Sequence, residues 1–336
     1  MSTIKDVAAL AGVSVATVSI IVNGKAAERK ISIATQTKVA DAIKTLNYRP
    51  NVSAKKLRNS SYKEYTIGVY WASDFRAHFL ARIISGIQGE FLKYDYPINI
   101  VICPYKNDYL HVEKGLQTDT AFNAAIIANM SPADMKYLHS SALKIPIVLF
   151  NRYSEQYNSV TIDNYEAGKK AALHFITKGI TDIGVILHKR SYLAMSIRNH
   201  GFIDACRKNN IQIPAHNIIT TESTLAGGVQ AAEKLLAHNH LPKGIFCDSD
   251  TLAQGMLHVF NKNKVVIPDD VEIIAIGMSS PDTSKYSTPS LSVVELPMER
   301  MAAECIRLII DVLEHQIEQP SHVLYDSELI LRESSR

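Results

Sequence analysis

The chain has 336 residues, 46% of them apolar and 21% charged, with a formal net charge of +3. At roughly 150 residues per domain this length predicts two or three units, each able to bury a core. An ordinary apolar fraction excludes a disordered chain, and only 15 Gly and 12 Pro exclude a collagenous or low-complexity one. Apolar runs such as 145–150 are strand-length, well below the ~20 residues of a spanning helix, so no membrane partner is expected. Residues 1–6 lack the apolar run of a signal peptide. Cys103, Cys206, Cys247 and Cys305 stand far apart without metal-ligand spacing, and read as buried thiols of a reduced, cytoplasmic protein.

In chain order, the first 62 residues are basic: ten Lys/Arg against three Asp/Glu, a local charge of +7. The other 274 carry 26 against 30, a charge of −4. A basic head on a faintly acidic body predicts that the head meets a polyanion. Ile4, Val7, Ala8 and Ala11 share one helical face, and Gly12 stops that helix. Ser14 can cap a second helix over about 15–22, and a third spans about 33–46. Pro50 ends the pattern, 51–58 is a short basic helical piece, and 59–61 reads as a linker.

From Tyr65 the rhythm changes to short apolar runs alternating with amphipathic stretches. Strands are expected at 66–71, 99–103, 124–128, 146–150, 182–187, 217–221, 244–247 and 272–277, with helices such as 79–93, 167–177, 197–209, 227–238 and 251–261 between them. Such alternation implies parallel sheets with right-handed crossovers, and this many strands suits two doubly wound parallel-sheet subdomains.

Two short helices pack as a helix-turn-helix when a small residue lies at their contact, a Gly or similar in the turn, and apolar residues beneath the second helix. Ala8, Gly12, Val13, Val18 and Ile21 meet these demands in order. Clustered charge and the basic segment that follows favour DNA as the polyanion.

Thr3-Ile-Lys-Asp-Val-Ala-Ala-Leu-Ala-Gly-Val-Ser14, followed by Thr17-Val-Ser19 and Val22-Asn-Gly24, resembles the head of the lactose-repressor/galactose-repressor family. Leu46-Asn-Tyr-Arg-Pro-Asn51 and Ala54-Lys-Lys-Leu57 continue the match into that family's hinge. In the body, Asn151-Arg152, Val160-Thr-Ile-Asp-Asn164, Arg198-Asn-His-Gly-Phe202, Asp250 and Ile267-Pro-Asp-Asp-Val271 extend it towards the C-terminus. The resemblance implies a small all-α head on an α/β core like the periplasmic binding proteins. The head occupies 1–49, a hinge helix and linker 50–62, and the core 63–336. Within the core, an N-subdomain spans about 63–162 and 293–322, and a C-subdomain about 163–292 and 323–336.

The resemblance further implies a homodimer that reads double-stranded operator DNA, one recognition helix per half-site. Leu57 matches the hinge leucine that wedges into the minor groove, where Lys55, Lys56 and Arg58 neutralise phosphates. Ser14, Thr17, Ser19 and Asn23 match phosphate-contacting positions, and Thr3, Tyr48, Asn51 and Ala54 complete the DNA face. Val15, Ala16 and Ile20 fall at base-reading positions, Ile20 replacing an Arg common in the family. No bidentate Arg–guanine pair can form from these three, so reading through thymine methyl groups and DNA deformability is expected. The stretch 23–32 is longer than usual by about three residues; its Lys25, Arg29 and Lys30 suit either phosphates or a solvated loop.

A small effector, a sugar or sugar derivative, is expected in the cleft between the subdomains. Arg198 matches the family's effector clamp, and its fork suits vicinal hydroxyls or a carboxylate. Trp71, Phe75, Arg76, His78 and Phe79 follow the first strand and are expected at the cleft mouth. Asn151 stands where relatives often have Asp, Ser249 where some have Asn, and Ser279 where an Asp usually closes on the ligand; Asp250 lies nearby. Control by a protein co-repressor, or a sugar-binding transport role, are the alternatives. No hydrolase elbow, phosphate loop or Gly-x-Gly-x-x-Gly motif points to an enzyme, and neither cofactor nor metal is expected. No heptad tail follows Leu331, so a coiled-coil tetramer is not expected.

Overall fold

The computed structural model describes residues 4–22, 26, 29–46, 63–74, 79–190, 192–238, 240–315 and 320–336. The chain divides into two compact units, 1–63 and 64–336.

In the first unit, α1 (Ile4–Ala11), α2 (Val15–Val22) and α3 (Ile33–Thr45) share a core of Val7, Ala8, Ala11, Val18, Val39 and Ala42. The chain turns by 106° between α1 and α2, within the range of a helix-turn-helix. Gly12, at φ +65°, makes that turn. Ser14 Oγ accepts the Thr17 amide at 3.1 Å, and Ser32 Oγ accepts that of Thr35 at 3.2 Å. Each supplies a donor at a helix start with the acceptor the helix cannot provide.

The second unit contains two six-stranded sheets. In the first, β1 (Tyr65–Ala72), β2 (Ile98–Tyr105), β3 (Ala124–Ala128), β4 (Ile147–Phe150) and β5 (Asn158–Ile162) stand in the order β2-β1-β3-β4-β5. Its crossovers include α4 (Leu80–Phe91) and α5 (Pro132–Ser140). The chain then enters the second half through α6 (Asn164–Thr177). There β6 (Ile183–His188), β7 (Ile218–Thr221), β8 (Gly244–Cys247), β9 (Glu272–Gly277) and β10 (Ser292–Glu295) repeat the order as β7-β6-β8-β9-β10. The intervening helices are α7 (Leu193–Lys208), α8 (Leu225–Ala237), α9 (Asp250–Lys262) and α10 (Pro281–Lys285). From β10, α11 (Met298–Leu313) returns to the first half; β11 (His322–Tyr325) joins its sheet, and β12 (Glu328–Ile330) closes the second sheet antiparallel to β10.

Strands buried on both faces read as near-continuous apolar runs, as in Ala124–Ala128 and Gly244–Cys247, where every residue is buried. Val69, Ile126 and Val148 pack with Ile83 and Ile87 of α4 and Ile306 and Ile309 of α11. Tyr70, Ile127 and Leu149 fill the opposite side with Leu110 and Leu138.

The subdomain limits expected near 293 and 323 are displaced. Val293 and Val294 lie in parallel register with Ala275 and Ile276, so β10 belongs to the second sheet. Val323 and Leu324 lie opposite Val160 and Thr161, so β11 belongs to the first. The chain therefore changes halves at Asp163, at 296–297 and at 326–327. Backbone pairing sets these limits; Asp163-Asn164, Pro297 and Asp326-Ser327 mark the breaks, but a break alone does not say which sheet the next strand joins.

Candidate functional site

The order 2-1-3-4-5 places a topological switch point between the first and third strands of each sheet, where crossovers leave in opposite directions and a crevice opens. Side chains from the carboxyl ends of both sheets meet around an enclosed cavity of about 40 Å³. Trp71 comes from β1, Asn129 follows β3, and Phe150 ends β4 with Asn151 directly after it. From the other half come Tyr192, Met195 and Arg198, with Met278 after β9. Asn151, Arg152 and Ala194 also line an adjoining groove of about 400 Å³, whose wall includes Thr161, Asp163 and Ile197. The enclosed part holds about one water, so a ring-sized ligand must part the two halves to enter it.

Arg198 is the largest fully buried side chain, 2% exposed. Its Nη1 donates to Asn164 Oδ1 at 2.7 Å, and Nη2 lies 3.8 Å from Met278 Sδ. The Asn164 amide donates in turn to Asn151 Oδ1 at 3.0 Å and to the Ile162 carbonyl at 3.1 Å. A polar line thus runs from the end of β4, through the first crossover, to the guanidinium of α7. Burial pulls the Arg198 pKa down to about 10, partly offset by Asp248. Asp248 follows β8, and its Oδ2 accepts the His188 amide at 2.7 Å. Burial pushes its pKa up to about 6, against the pull of that amide and of Arg198. Its Oδ1 has no hydrogen-bond partner among the described residues. Tyr192 stacks on His188 beside it, rings 6.3 Å apart and nearly parallel at 7°.

The placement of Arg198 depends on close backbone approach between α6 and α7. A Cβ on Gly168 would lie 1.8 Å from the Arg198 carbonyl oxygen, and one on Gly201 would lie 2.1 Å from that of Tyr165. Only glycine at both positions lets the helices cross this closely. Asn129 and Asn151 both sit at positive φ, +60° and +53°, as β3 and β4 turn away from the cavity; asparagine tolerates that conformation better than other non-glycine residues.

Of the effector residues expected from sequence, Trp71, Phe79, Asn151 and Arg198 line the cavity together. Trp71 is 3% exposed, its ring 6.4 Å from that of Phe150. Phe75, Arg76 and His78 lie outside the described residues. Ser249 and Asp250 instead serve local structure. Ser249 Oγ caps α9, accepting the Leu252 amide at 3.3 Å, and lies 2.9 Å from Ser223 Oγ. Asp250 accepts the Ser279 amide at 2.8 Å and its hydroxyl at 2.9 Å, so Ser279 is bound to α9. Sequence reasoning missed Asn129, Tyr192 and Asn164, which line the cavity or its groove, and Asp248 and His188 behind Arg198. Asp248 and Asn129 had a usable signal, since each directly follows a short buried apolar run.

On the head, α2 carries no charged residue. Ser14 and Ala16 are exposed, Val15, Thr17, Ser19 and Ile20 are half-buried, and Val18 is buried. Lys5, Arg29, Lys30, Lys38 and Lys44 surround this helix in sequence, and all are exposed. Thr3, Asn23, Tyr48, Asn51, Ala54, Lys55, Leu57 and Arg58 lie outside the described residues. No single helix among the described residues is long and apolar enough to cross a membrane, and no group of three or more His, Cys, Asp or Glu among them could hold a metal.

Residues 3–51 match the family of bacterial regulatory proteins of the lacI type, and residues 172–335 match a periplasmic binding protein-like domain. The HTH-type transcriptional regulator RegA of Clostridium saccharobutylicum is 30% identical over 342 residues, covering 99% of each chain. The crystal structure of a LacI family transcription regulator from Clostridium acetobutylicum is 45% identical, with a TM-score of 0.77 over 80% of this chain and 99% of that one. The transcriptional regulator CelR, in complex with cellobiose, superposes with a TM-score of 0.69 over 99% of this chain and all of that one. At 24% identity it shares the fold.

Proposed function

The chain belongs to the LacI family of bacterial regulatory proteins, and on that premise we propose that it is a cytoplasmic repressor whose hold on operator DNA is set by a small carbohydrate in the core cleft. It acts as a homodimer, each head placing α2 in the major groove of one half-site. Exposed cations of the head hold phosphates, while Val15, Ala16 and Ile20 present methyl groups to base edges. It is a binding protein, not an enzyme.

The observation that carries the effector reading is the buried fork of Arg198 in a cavity walled by Trp71, Phe79 and Phe150. Of the five guanidinium N–H groups, the structure uses one on Asn164 and places another near sulfur, which leaves donors for hydroxyl or carboxylate oxygens. Aromatic faces beside directed donors suit a sugar ring. The cellobiose bound by CelR accords with this class of ligand. Because the cavity is walled by both halves, a ligand shifts their arrangement only through differential affinity for the open and closed forms.

Trp71 is the only tryptophan, so its fluorescence reports on the cavity. A panel of sugars, sugar acids, sugar phosphates and nucleosides titrated into the full chain is expected to give a saturable change with at least one carbohydrate. A response confined to nucleosides, or none at all, contradicts the carbohydrate reading.

A further inference from the structure

Arg82 lies in the first turns of α4, outside the cavity, yet is only 6% exposed. Its Nε and Nη2 donate to the two carboxylate oxygens of Glu299 at 2.6 Å each, a fork-to-fork pair at the start of α11. Nη2 also donates to the Leu296 carbonyl at 3.1 Å and lies 2.7 Å from Glu295 Oε1. Nη1 donates to the Ser279 carbonyl at 3.1 Å, with those of Gly277 and Met278 at 3.5 Å. One side chain of the first half thus grips the end of β9, the end of β10 and the second crossover. Gly86, one turn on, lets α4 approach the backbone of Glu299, where a Cβ would lie 2.2 Å from its carbonyl oxygen. The gripped segments carry Met278, Leu296 and Met298, which wall the cavity.

We propose that Arg82 is the positioning residue of the effector cavity, tying the 277–279 turn and the second crossover to α4 so that the cavity closes over Trp71. The grip works through backbone carbonyls and two carboxylates, so it needs a fork, and a lysine at this place can satisfy only part of it. It is also sensitive to proton uptake. The groups facing Glu295 are Arg82 from α4, Glu299 from α11 and Asp250 from α9. Burial holds the Glu295 pKa up at about 7 despite Arg82, and the two neighbouring carboxylates add to the rise. In an opened cleft, water reaches Glu295 and its pKa returns towards the ordinary carboxylate value. Closure therefore takes up a proton, and acid favours it. For one proton the closure equilibrium changes by at most about tenfold per pH unit.

The proposal is about the free protein and rests on the effector reading only for its consequence for ligand binding. It is tested without ligand by acrylamide quenching of Trp71 in the full chain, at pH 5 to 8, with circular dichroism recorded on every variant. R82M is expected to raise the quenching constant at least twofold with helix content unchanged, and R82K to fall between R82M and the parent. In the parent, quenching rises as pH rises towards 7; E295Q flattens that profile. If R82M does not fold, R82K and E295Q carry the test alone. Trp71 quenching unchanged in folded R82M and R82K, or a pH profile that survives E295Q, overturns the proposal. Neither result bears on whether the cavity binds a sugar, which the titration above decides.

Discussion

Arg198 combines a large desolvation cost with few protein partners, and a buried cation is retained under those terms when a ligand completes its bonding. Each charged hydrogen bond lost is worth about 1.5–3 kcal/mol, so R198M is expected to weaken carbohydrate binding by ten- to a hundredfold or more. R198K, which keeps charge without the fork, recovers only part of it. Equal affinities for parent and R198M in the Trp71 titration would remove Arg198 from the site. On the proposed DNA face, Ile20 is a half-buried apolar residue of α2 assigned to a base edge. I20R adds a donor fork at an uncharged helix, and the selected operator is expected to shift towards guanine at one symmetric position, a preference worth about 1–3 kcal/mol. An unchanged preference in a selection from randomised duplexes contradicts the placement of Ile20 at a base edge.

Among the elements, the crossing of α6 and α7 links the first crossover to Arg198. G168A places a methyl group against the Arg198 carbonyl, so the helices must separate or tilt. Overpacking of this kind costs about 1–3 kcal/mol, and here it also displaces Arg198. The expected outcome is a lower urea midpoint together with lost carbohydrate response; a lower midpoint with an intact response separates packing from function. The strands at 124–128, 244–247 and 272–277 were legible to the residue, because each is a short apolar run set off by polar or turn residues and flanked by helical patterns. β5, β10, β11 and β12 were not among the expected strands. Asn158, Ser292, His322 and Glu328 open them with polar residues, and their place is decided by partners distant in sequence. The site was legible in the same measure. Arg198, Trp71, Phe79 and Asn151, named from sequence, line the cavity, whereas Asp248 and His188 meet behind Arg198 only because β6 and β8 are neighbours in the second sheet. Ser249 and Asp250, also named from sequence, do not line the cavity; the serine bonds the start of α9 and the aspartate the 278–279 turn.

For the whole molecule, buried carboxyls set the pH response of stability. Burial raises the pKa of Asp248 to about 6 and that of Glu295 to about 7, and also raises that of Asp250. The folded chain thus holds protons that the unfolded chain has released. Their contribution is present at low pH and is lost as pH rises from about 4 to about 7, at up to about 1.4 kcal/mol per unit for each group. His174, whose pKa is lowered by burial and by Lys178, opposes this below its ordinary value. The urea midpoint of the core is expected to fall between pH 5 and 7.5, less steeply in D248N and E295Q; a midpoint that climbs over this range contradicts the assignment.

The net charge of +3 divides into +7 on residues 1–62 and −4 on the rest. The cations that attract DNA phosphates are thus concentrated in the head, while α2 itself carries no charge. The central claim is that this attraction is governed from the cleft. The direct measurement is fluorescence anisotropy of a labelled duplex, selected from a random pool, titrated with the full chain in 50 and 200 mM salt. Each titration is repeated with and without the carbohydrate that moves Trp71. Affinity is predicted to fall about a thousandfold between the two salts, and to shift about tenfold or more when the carbohydrate is present. A flat salt dependence, or the same DNA affinity with the cleft saturated and empty, would contradict the account.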